Sequence, residues 1–548
     1  MSSYAYLPNI SSFPSMNFTH PISGEDRQLN YLYLLLLVLP LLYTGWRKVS
    51  DARDSQRRYP KFNGPKGLPL LGNILQLGDK QWLKYTEWHK TFGPVYRLNF
   101  AGQDVIVVGT AKCAADLMDR RSAIYSDRPR FIMATEILTG GMNLAFARYG
   151  DRWRRMRRAA NNGLSMKAAQ EYTPLQEKEA AYLLDGLLHE KGNIDPQLRR
   201  TAAATVLSAV YAYPPISIGD HLVEKVENYV DRMLKAALPG NYFVDIFPFM
   251  MYIPAWMAKW KREGYAWFKK DTDMFVGLVE DVKAGLKDGT RSECFVAKLL
   301  DTTQQNDLDP IETAWLAGMM FGAGSEAMAS TLSFFILAMV LFPRVQSKLR
   351  AEVDAAVGSD RFPNYSDVRK LPYLNAVIKE TLRWRPMGPL AVPHRSSQDD
   401  VYEGHFIPAG TLIFPNVWAM HHDESVYPDP EDFRPERFLA EDGVTPVQYA
   451  DAKDLGQHTF GFGRRSCIGY TVANNALALN AANIVFAFQI DKAKDASGID
   501  ITPDPDDLLD EGLAVRPTPF DCKITPRSPA VVEMIKAAKA HYDGTTGV

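Results

Sequence analysis

The chain has 548 residues, of which 46% are hydrophobic and 11% aromatic: ample for a large core and too apolar for a disordered polymer. A formal net charge of −2 gives no global nucleic-acid footprint. Its four cysteines (Cys113, Cys294, Cys467, Cys522) are widely spaced without a C-x-x-C, which argues against a disulfide framework or a zinc site and suits a reducing compartment.

Taken in chain order, the first distinctive element is an apolar run. Between Arg27 and Arg47 lie 19 uncharged residues, including Tyr31 to Leu42. As a helix this run is about 28 Å long, close to a bilayer core, with Tyr31, Tyr33, Tyr43 and Trp46 suited to the interfaces. A cleaved signal peptide wants a basic start and a small-residue cleavage site, and neither is present. The spacing therefore predicts a tail over 1–28 and a single membrane-spanning anchor over 29–46. Arg47, Lys48, Arg53, Arg57, Arg58 and Lys61 follow it, so the positive-inside rule places the tail in the lumen and the bulk of the chain in the cytosol. Sequons at Asn9 and Asn17 would then be open to glycosylation, whereas the one at Asn364 would face the wrong compartment.

Residues 47–73 combine basic residues with the stiff segment Asn63 to Asn73, which reads as a semi-rigid hinge. Val95–Phe100 and Asp104–Gly109 predict two strands around an Ala-Gly turn. Helical spacing then dominates: Glu177 to Leu188, Leu222 to Leu238, Phe275 to Leu286, Ile311 to Leu341, Arg344 to Val357 and Tyr373 to Trp384. Between two of these, Asn241 to Trp256 is apolar, aromatic and broken by Pro248 and Pro254. It is either a buried connector or a surface patch that dips into a bilayer. Repeats are absent, and the composition predicts one large, mainly helical domain.

Three motifs carry the chemistry. Phe460-Gly461-Phe462-Gly463-Arg464-Arg465-Ser466-Cys467-Ile468-Gly469 holds a cysteine in a loop whose glycines permit tight turns and close approach to a flat group. A lone cysteine in such a loop is usually structural, but the whole string suits a thiolate acting as axial ligand to a haem iron. Glu380-Thr381-Leu382-Arg383 puts an acid and a base on one helix face, a pattern that alone usually marks a surface pair. Pro435-Glu436-Arg437-Phe438 follows a turn-rich stretch. In this order the three resemble the core signature of cytochromes P450, and the resemblance covers about residues 64–530.

That resemblance implies the P450 fold over residues 74–548: a mainly helical domain with a smaller β-rich lobe. It implies haem b with Cys467 as iron ligand, Phe460 and Gly463 in the binding loop, and Trp153, Arg157, His394 and Arg465 on the propionates. Glu380, Arg383 and Arg437 would form a buried charge triad supporting the haem site. Arg152, Arg154, Arg155 and Arg158 are too many for two propionates. They form either a solvated basic face or a docking patch for an acidic electron donor. On the oxygen side, small residues Ala323 and Gly324 would let a helix pass close to the haem, and Glu326 matches the family's acid. The expected Thr is replaced by Ala327, which puts the usual proton relay in doubt. Thr331 lies one turn on, on the same face. Met319, Ala323, Leu390, Ala391, Val392 and Leu513, with Phe131 to Met142, would line an apolar substrate pocket.

The function implied is monooxygenation of a hydrophobic small molecule, most like fungal secondary-metabolism P450s acting on terpenoid, polyketide or alkaloid intermediates. Electrons would come from NADPH through cytochrome P450 reductase, with cytochrome b5 as a further partner, at the endoplasmic reticulum membrane. Because of Ala327, rearrangement, dehydration, desaturation or oxidative coupling stands as the alternative, and a non-catalytic haem-binding sensor as a remoter one.

Overall fold

A central helix, Pro310–Leu341, organises the protein, and its sequence explains why. Asp309 caps it, accepting the Glu312 N–H at 2.7 Å, while the Glu312 carboxylate accepts the Asp309 N–H at 3.3 Å. Pro310 occupies the first turn, where its missing N–H costs nothing. The helix is apolar nearly all round, as a helix enclosed by others must be. By length and composition it is able to cross a membrane, but 72% of its most apolar window is buried in protein, the state of a core helix.

The computed structural model describes residues 59–190, 192–213, 216–238, 241–291, 293–447 and 458–545. The predicted tail, the membrane anchor, most of the basic stretch and the sequons at Asn9 and Asn17 lie outside them. The chain divides into two units. Met1–Lys61 with Val401–Phe406 is the smaller, and in it the Phe406 N–H donates to the Pro60 carbonyl at 2.9 Å. Phe62–Asp400 with Ile407–Val548 is the larger and concerns everything below.

Its main helices are α1 (Gln81–Phe92), α2 (Asp151–Gly163), α3 (Thr173–His189), α4 (Asp195–Tyr211), α5 (His221–Ala237), α6 (Lys259–Asp288), α7 (Pro310–Leu341), α8 (Pro343–Val357), α9 (Pro372–Trp384), α10 (Tyr470–Ala487) and α11 (Pro529–Thr545). The strands are β1 (Val95–Phe100), β2 (Gln103–Val108), β3 (Gly192–Asn193), β4 (His394–Arg395), β5 (Leu412–Pro415), β6 (Phe488–Lys494), β7 (Asp500–Ile501), β8 (Leu508–Asp510), β9 (Val515–Pro517) and β10 (Asp521–Pro526). One sheet runs β1-β2-β5-β4, in which Val95 faces Val108, Ile106 faces Ile413 in parallel, and Ile413 faces His394. A second runs β3-β10-β6-β7, and β8 pairs with β9. The mainly helical expectation and the small β lobe hold, and the two predicted strands form with the Ala101-Gly102 turn between them.

The described part of the Pro/Gly segment is anchored at its C-terminal end. From Asn63 onward it is docked on β1: the Arg97 N–H donates to Asn63, and Asn73 exchanges hydrogen bonds with Asn99. Gly72, at φ +63°, crosses so close to that strand that a Cβ would meet the Asn99 carbonyl oxygen at 2.0 Å. Asn241 to Trp256 folds as a short helix (Phe243–Ile246) and a 3₁₀ turn (Pro248–Tyr252), in which Phe243, Phe249, Tyr252 and Trp256 are exposed.

An unforeseen element is α11, which packs on α3. Ile535 is fully buried in the core, the Tyr182 hydroxyl donates to Asp543 at 2.8 Å and Lys539 pairs with Asp185 at 3.1 Å. Ile535→Ala should cost about 2–5 kcal/mol, the usual range for emptying such a site. The check is the thermal midpoint of the full-length protein; an unchanged midpoint would show α11 to be an ornament.

Candidate active site

The cysteine loop is built from short 3₁₀ turns at His458–Phe460 and Gly463–Arg465, and it leads directly into α10. The Cys467 N–H donates to the Phe460 carbonyl at 2.7 Å, which closes the loop, and the Phe460 ring packs edge-on against Tyr470 at 4.8 Å. Gly463 sits at φ +53°, and a Cβ there would meet the Met118 carbonyl oxygen at 2.1 Å, so this loop presses against the preceding chain where only glycine fits. Its N–H donates to Asp119.

Two properties of Cys467 pull apart. Its accessible area is that of an exposed residue, yet burial pushes its thiol pKa up. Both hold if the sulfur faces an internal space: a small probe reaches it while protein surrounds it, and the enclosed surroundings decide its charge. The N–H groups of Gly469 and Tyr470 and the nearby Arg157 guanidinium oppose that rise by favouring the thiolate.

Around this loop the fold gathers buried cations. α2 carries Trp153 and Arg157 on one face: the indole N–H donates to the Leu144 carbonyl at 3.0 Å, and Arg157 donates to the Ser466 carbonyl at 2.6 Å. Arg465 lies over the Trp153 ring at 4.2 Å and donates to the carbonyls of Ser126, Leu144 and Ala147. Burial brings its pKa down to about 9. His394 is held by β4 with Nδ1 2.7 Å from the Tyr125 carbonyl, one residue from an Arg465 partner.

Sequence reasoning missed Arg128, which donates to the carbonyls of Ala145, Val392 and Pro393 and is driven down by burial and by Arg465. Nothing periodic marks it; it stands in an irregular loop. The carboxylate beside these guanidiniums, Asp127, is already engaged by Arg148 at 2.6 Å and Arg395 at 3.3 Å. Buried charge of one sign calls for charge of the other. A group bringing carboxylates to Arg128, Arg157 and Arg465, with a metal for the Cys467 sulfur, satisfies both demands, so the donor set fits haem.

The supporting triad is assembled, with Glu380 and Arg383 fully buried and Arg437 half-buried. Arg383 donates to Glu380 through Nε at 2.6 Å and Nη2 at 2.9 Å, and Arg437 Nε donates to Glu380 at 3.1 Å. The Arg434 N–H reaches the same carboxylate at 2.7 Å, and Arg383 also serves the carbonyls of His421 and Pro430.

The predicted basic patch on α2 is reduced. Arg152 and Arg155 both reach buried Glu312 at 3.0 Å and Arg154 pairs with Asp151, so two of the exposed arginines of that helix, Arg152 and Arg154, are already engaged, with Arg158 exposed beside them.

On α7 the burial pattern breaks midway: Ala323 is exposed and Gly324 to Ala327 are half-buried in a helix otherwise largely enclosed. The helix thus borders open space there, with small side chains. Glu326 pairs with Arg199 of α4 at 3.1 Å and accepts from the Ser330 hydroxyl at 3.1 Å. Thr331 is otherwise engaged, its hydroxyl donating back to the Ala327 carbonyl at 2.8 Å. Ser330, one turn from Glu326, is the hydroxyl that sequence reasoning overlooked, although four-residue spacing would have found it.

Of the pocket candidates, Met319 is buried, its sulfur accepting the Leu144 N–H at 2.8 Å, which makes it a packing residue. Leu390, Ala391, Val392 and Leu513 are half-buried. Val392 and Leu513 border the same apolar cluster as Met320 and Ile468, and the Val515 N–H donates to the Met387 carbonyl at 2.7 Å, tying the two segments together. A separate cavity of about 240 Å³ is lined by charge, including Arg199, Glu227, Asp231, Glu326, Glu511 and Arg516.

A family model described as Cytochrome P450 matches residues 62–524. The chain is 47% identical over 503 residues to cytochrome P450 monooxygenase 253 of Postia placenta, covering 92% of this chain and 94% of that one. It is 43% identical over 512 residues to a cytochrome P450 monooxygenase of Armillaria gallica, covering 93% and 97%. Among solved structures, a zebrafish cytochrome P450 with abiraterone superposes with a TM-score of 0.65 at 24% identity, over 82% of this chain and all of that one.

Proposed function

The chain belongs to the cytochrome P450 family and is a monooxygenase of it, and from that premise we propose that it inserts one oxygen atom of O2 into a hydrophobic small molecule of secondary metabolism. The observation that carries this is the Cys467 loop, an accessible sulfur beside the half-buried Arg157, with the buried Arg465 in the same loop. The haem, when bound, supplies the redox chemistry with O2, with the thiolate as the electron-donating ligand.

What the chain's own residues do follows from where they stand. Cys467 is the proposed ligand, and the N–H groups of Gly469 and Tyr470 with Arg157 hold its charge. Arg128, Arg157, His394 and Arg465 would hold the group's carboxylates, while Trp153, whose one N–H is given to the Leu144 carbonyl, supports Arg465 through its ring face. Glu380, Arg383 and Arg437 fix the chain beneath the loop. Glu326 and Ser330 form a hydrogen-bonded pair beside the half-open turn of α7, and the apolar edge formed by Val392 and Leu513 would receive the substrate.

Electrons are proposed to come from NADPH through a membrane-bound reductase that meets Arg154 and Arg158, with cytochrome b5 as a further donor. Location at the endoplasmic reticulum membrane is supported by the apolar run before Arg47 and by the exposed Phe243, Phe249, Tyr252 and Trp256, a surface suited to lipid.

Ala327 favours one second reading: a P450 that desaturates, rearranges or couples its substrate without oxygen insertion. Turnover with reductase under isotopically labelled O2 separates the two. We expect one labelled oxygen in the product; product formed without label would sink the insertion reading.

A further inference from the structure

The turn that carries Leu513 is packed on some sides and open on another. It joins β8 to β9 as Glu511 to Ala514, closed by the Glu511 N–H on the Ala514 carbonyl at 3.0 Å. Its front belongs to the site: the Val515 N–H donates to Met387 at 2.7 Å, and Leu513 joins Val392 and Ile468 on one apolar cluster. Its tip crosses the end of α5, where Gly512 sits at φ +97° and a Cβ would meet the Leu238 side chain at 2.5 Å. Its back is different. There stands the cavity of about 240 Å³, walled by Glu511 and Arg516 on one side and by Val223, Val226 and Val230 of α5 on another.

Beside that cavity, a chain of charge runs from the turn to the body of the protein. Arg516 of β9 reaches Glu511 within the turn at 3.2 Å and Asp195 at 3.4 Å. Asp195 opens α4, where the helix dipole favours its charge, and Arg199 one turn on holds the same carboxylate at 3.0 Å. Asp195 is therefore a fixed post, gripped by its own helix. The side chains of Arg516 and Asp195 are 16% and 18% exposed, so salt screens this pair less than one on the open surface. On the cavity side, this pair is the support that the described residues give the turn.

We infer that Arg516, braced on Asp195, positions the Leu513 turn and so sets the size of molecule that the site accepts. The inference rests on the haem-site reading above, in which Leu513 borders the substrate. With the brace removed, the turn can settle back toward the cavity, and the space in front of Leu513 widens. An ion pair of this exposure is worth up to about fivefold in an equilibrium constant. That is enough to change a preference between two molecules and too little to unfold the β lobe. Arg516 and Asp195 are positioning residues: they act on what fits through the turn, and haem retention does not depend on them.

Two measurements on the full-length, haem-loaded protein test it. The first is hydrogen–deuterium exchange of the resting enzyme, read at the Glu511 and Val515 N–H groups. Arg516→Gln and Asp195→Asn should each speed it about fivefold, and the double variant no more than the larger single effect. Arg516→Lys, which keeps the charge, should stay near the wild type. Wild-type exchange in both single variants, or effects that add in the double variant, would overturn the brace. The second is spectral titration with two imidazoles that bind haem iron: 4-phenylimidazole, which is small, and clotrimazole, whose imidazole carries three aryl rings. Both single variants should move the ratio of the two dissociation constants about fivefold in favour of clotrimazole, and Arg516→Lys should restore it. A merely structural role would weaken both ligands alike, so an unchanged ratio would overturn the specificity role. No spectral response to either imidazole in the wild type would instead overturn the haem-site reading, while the exchange result still decided the brace.

Discussion

Cys467→Ala will abolish the absorption band of the reduced, CO-bound haem–thiolate and, with it, all oxygen insertion. The band requires sulfur on iron, and no other cysteine substitutes: Cys113, Cys294 and Cys522 are buried in the core. The variant should nonetheless fold. The Cys467 side chain contributes no core packing, since it is exposed, and the loop is closed by its main-chain N–H on the Phe460 carbonyl, which alanine keeps. Circular dichroism should therefore match that of the wild type while the band is lost completely. Survival of the band would refute the ligand assignment outright.

Glu380→Ala will act in the opposite way, through the fold. Glu380 and Arg383 are both 0% exposed, and the carboxylate accepts from Arg383, from Arg437 and from the Arg434 N–H. Removing it leaves the fully buried Arg383 guanidinium without its counter-charge and takes a partner from the half-buried Arg437 and from the Arg434 N–H. Breaking a buried pair in this way costs about 3–5 kcal/mol, a large share of what holds most domains folded. We expect a markedly lower thermal midpoint and poor haem retention, whereas Glu380→Gln, which keeps the shape and part of the hydrogen bonding, should lose less. A Glu380→Ala protein with the wild-type midpoint would show that the triad supports nothing.

These two sites were legible in the sequence to different depths. The cysteine loop is local: its glycines, arginine and sulfur are contiguous, so the string itself specifies the turn. The triad's members were legible, but the carbonyls of His421 and Pro430 that complete Arg383 come from distant chain and left no mark. Helices α4 and α10 escaped notice because they are buried nearly all round for much of their length. A helix without a polar face offers no alternation for periodicity to detect. Missing α4 also hid Arg199, and with it the relation between Glu326 and the cavity. The Pro/Gly segment makes a related point: composition predicts its stiffness, but not that Asn63 and Asn73 are bonded to β1.

Helix α2 is pinned at two places. Arg157 grips the Ser466 carbonyl beside Cys467, while Arg152 and Arg155 grip Glu312, the residue that completes the cap of α7. In mechanical terms α2 is a beam between the loop that holds the sulfur and the first turn of the helix that carries Glu326. A substitution that loosens either grip is therefore expected to disturb both ends of the site.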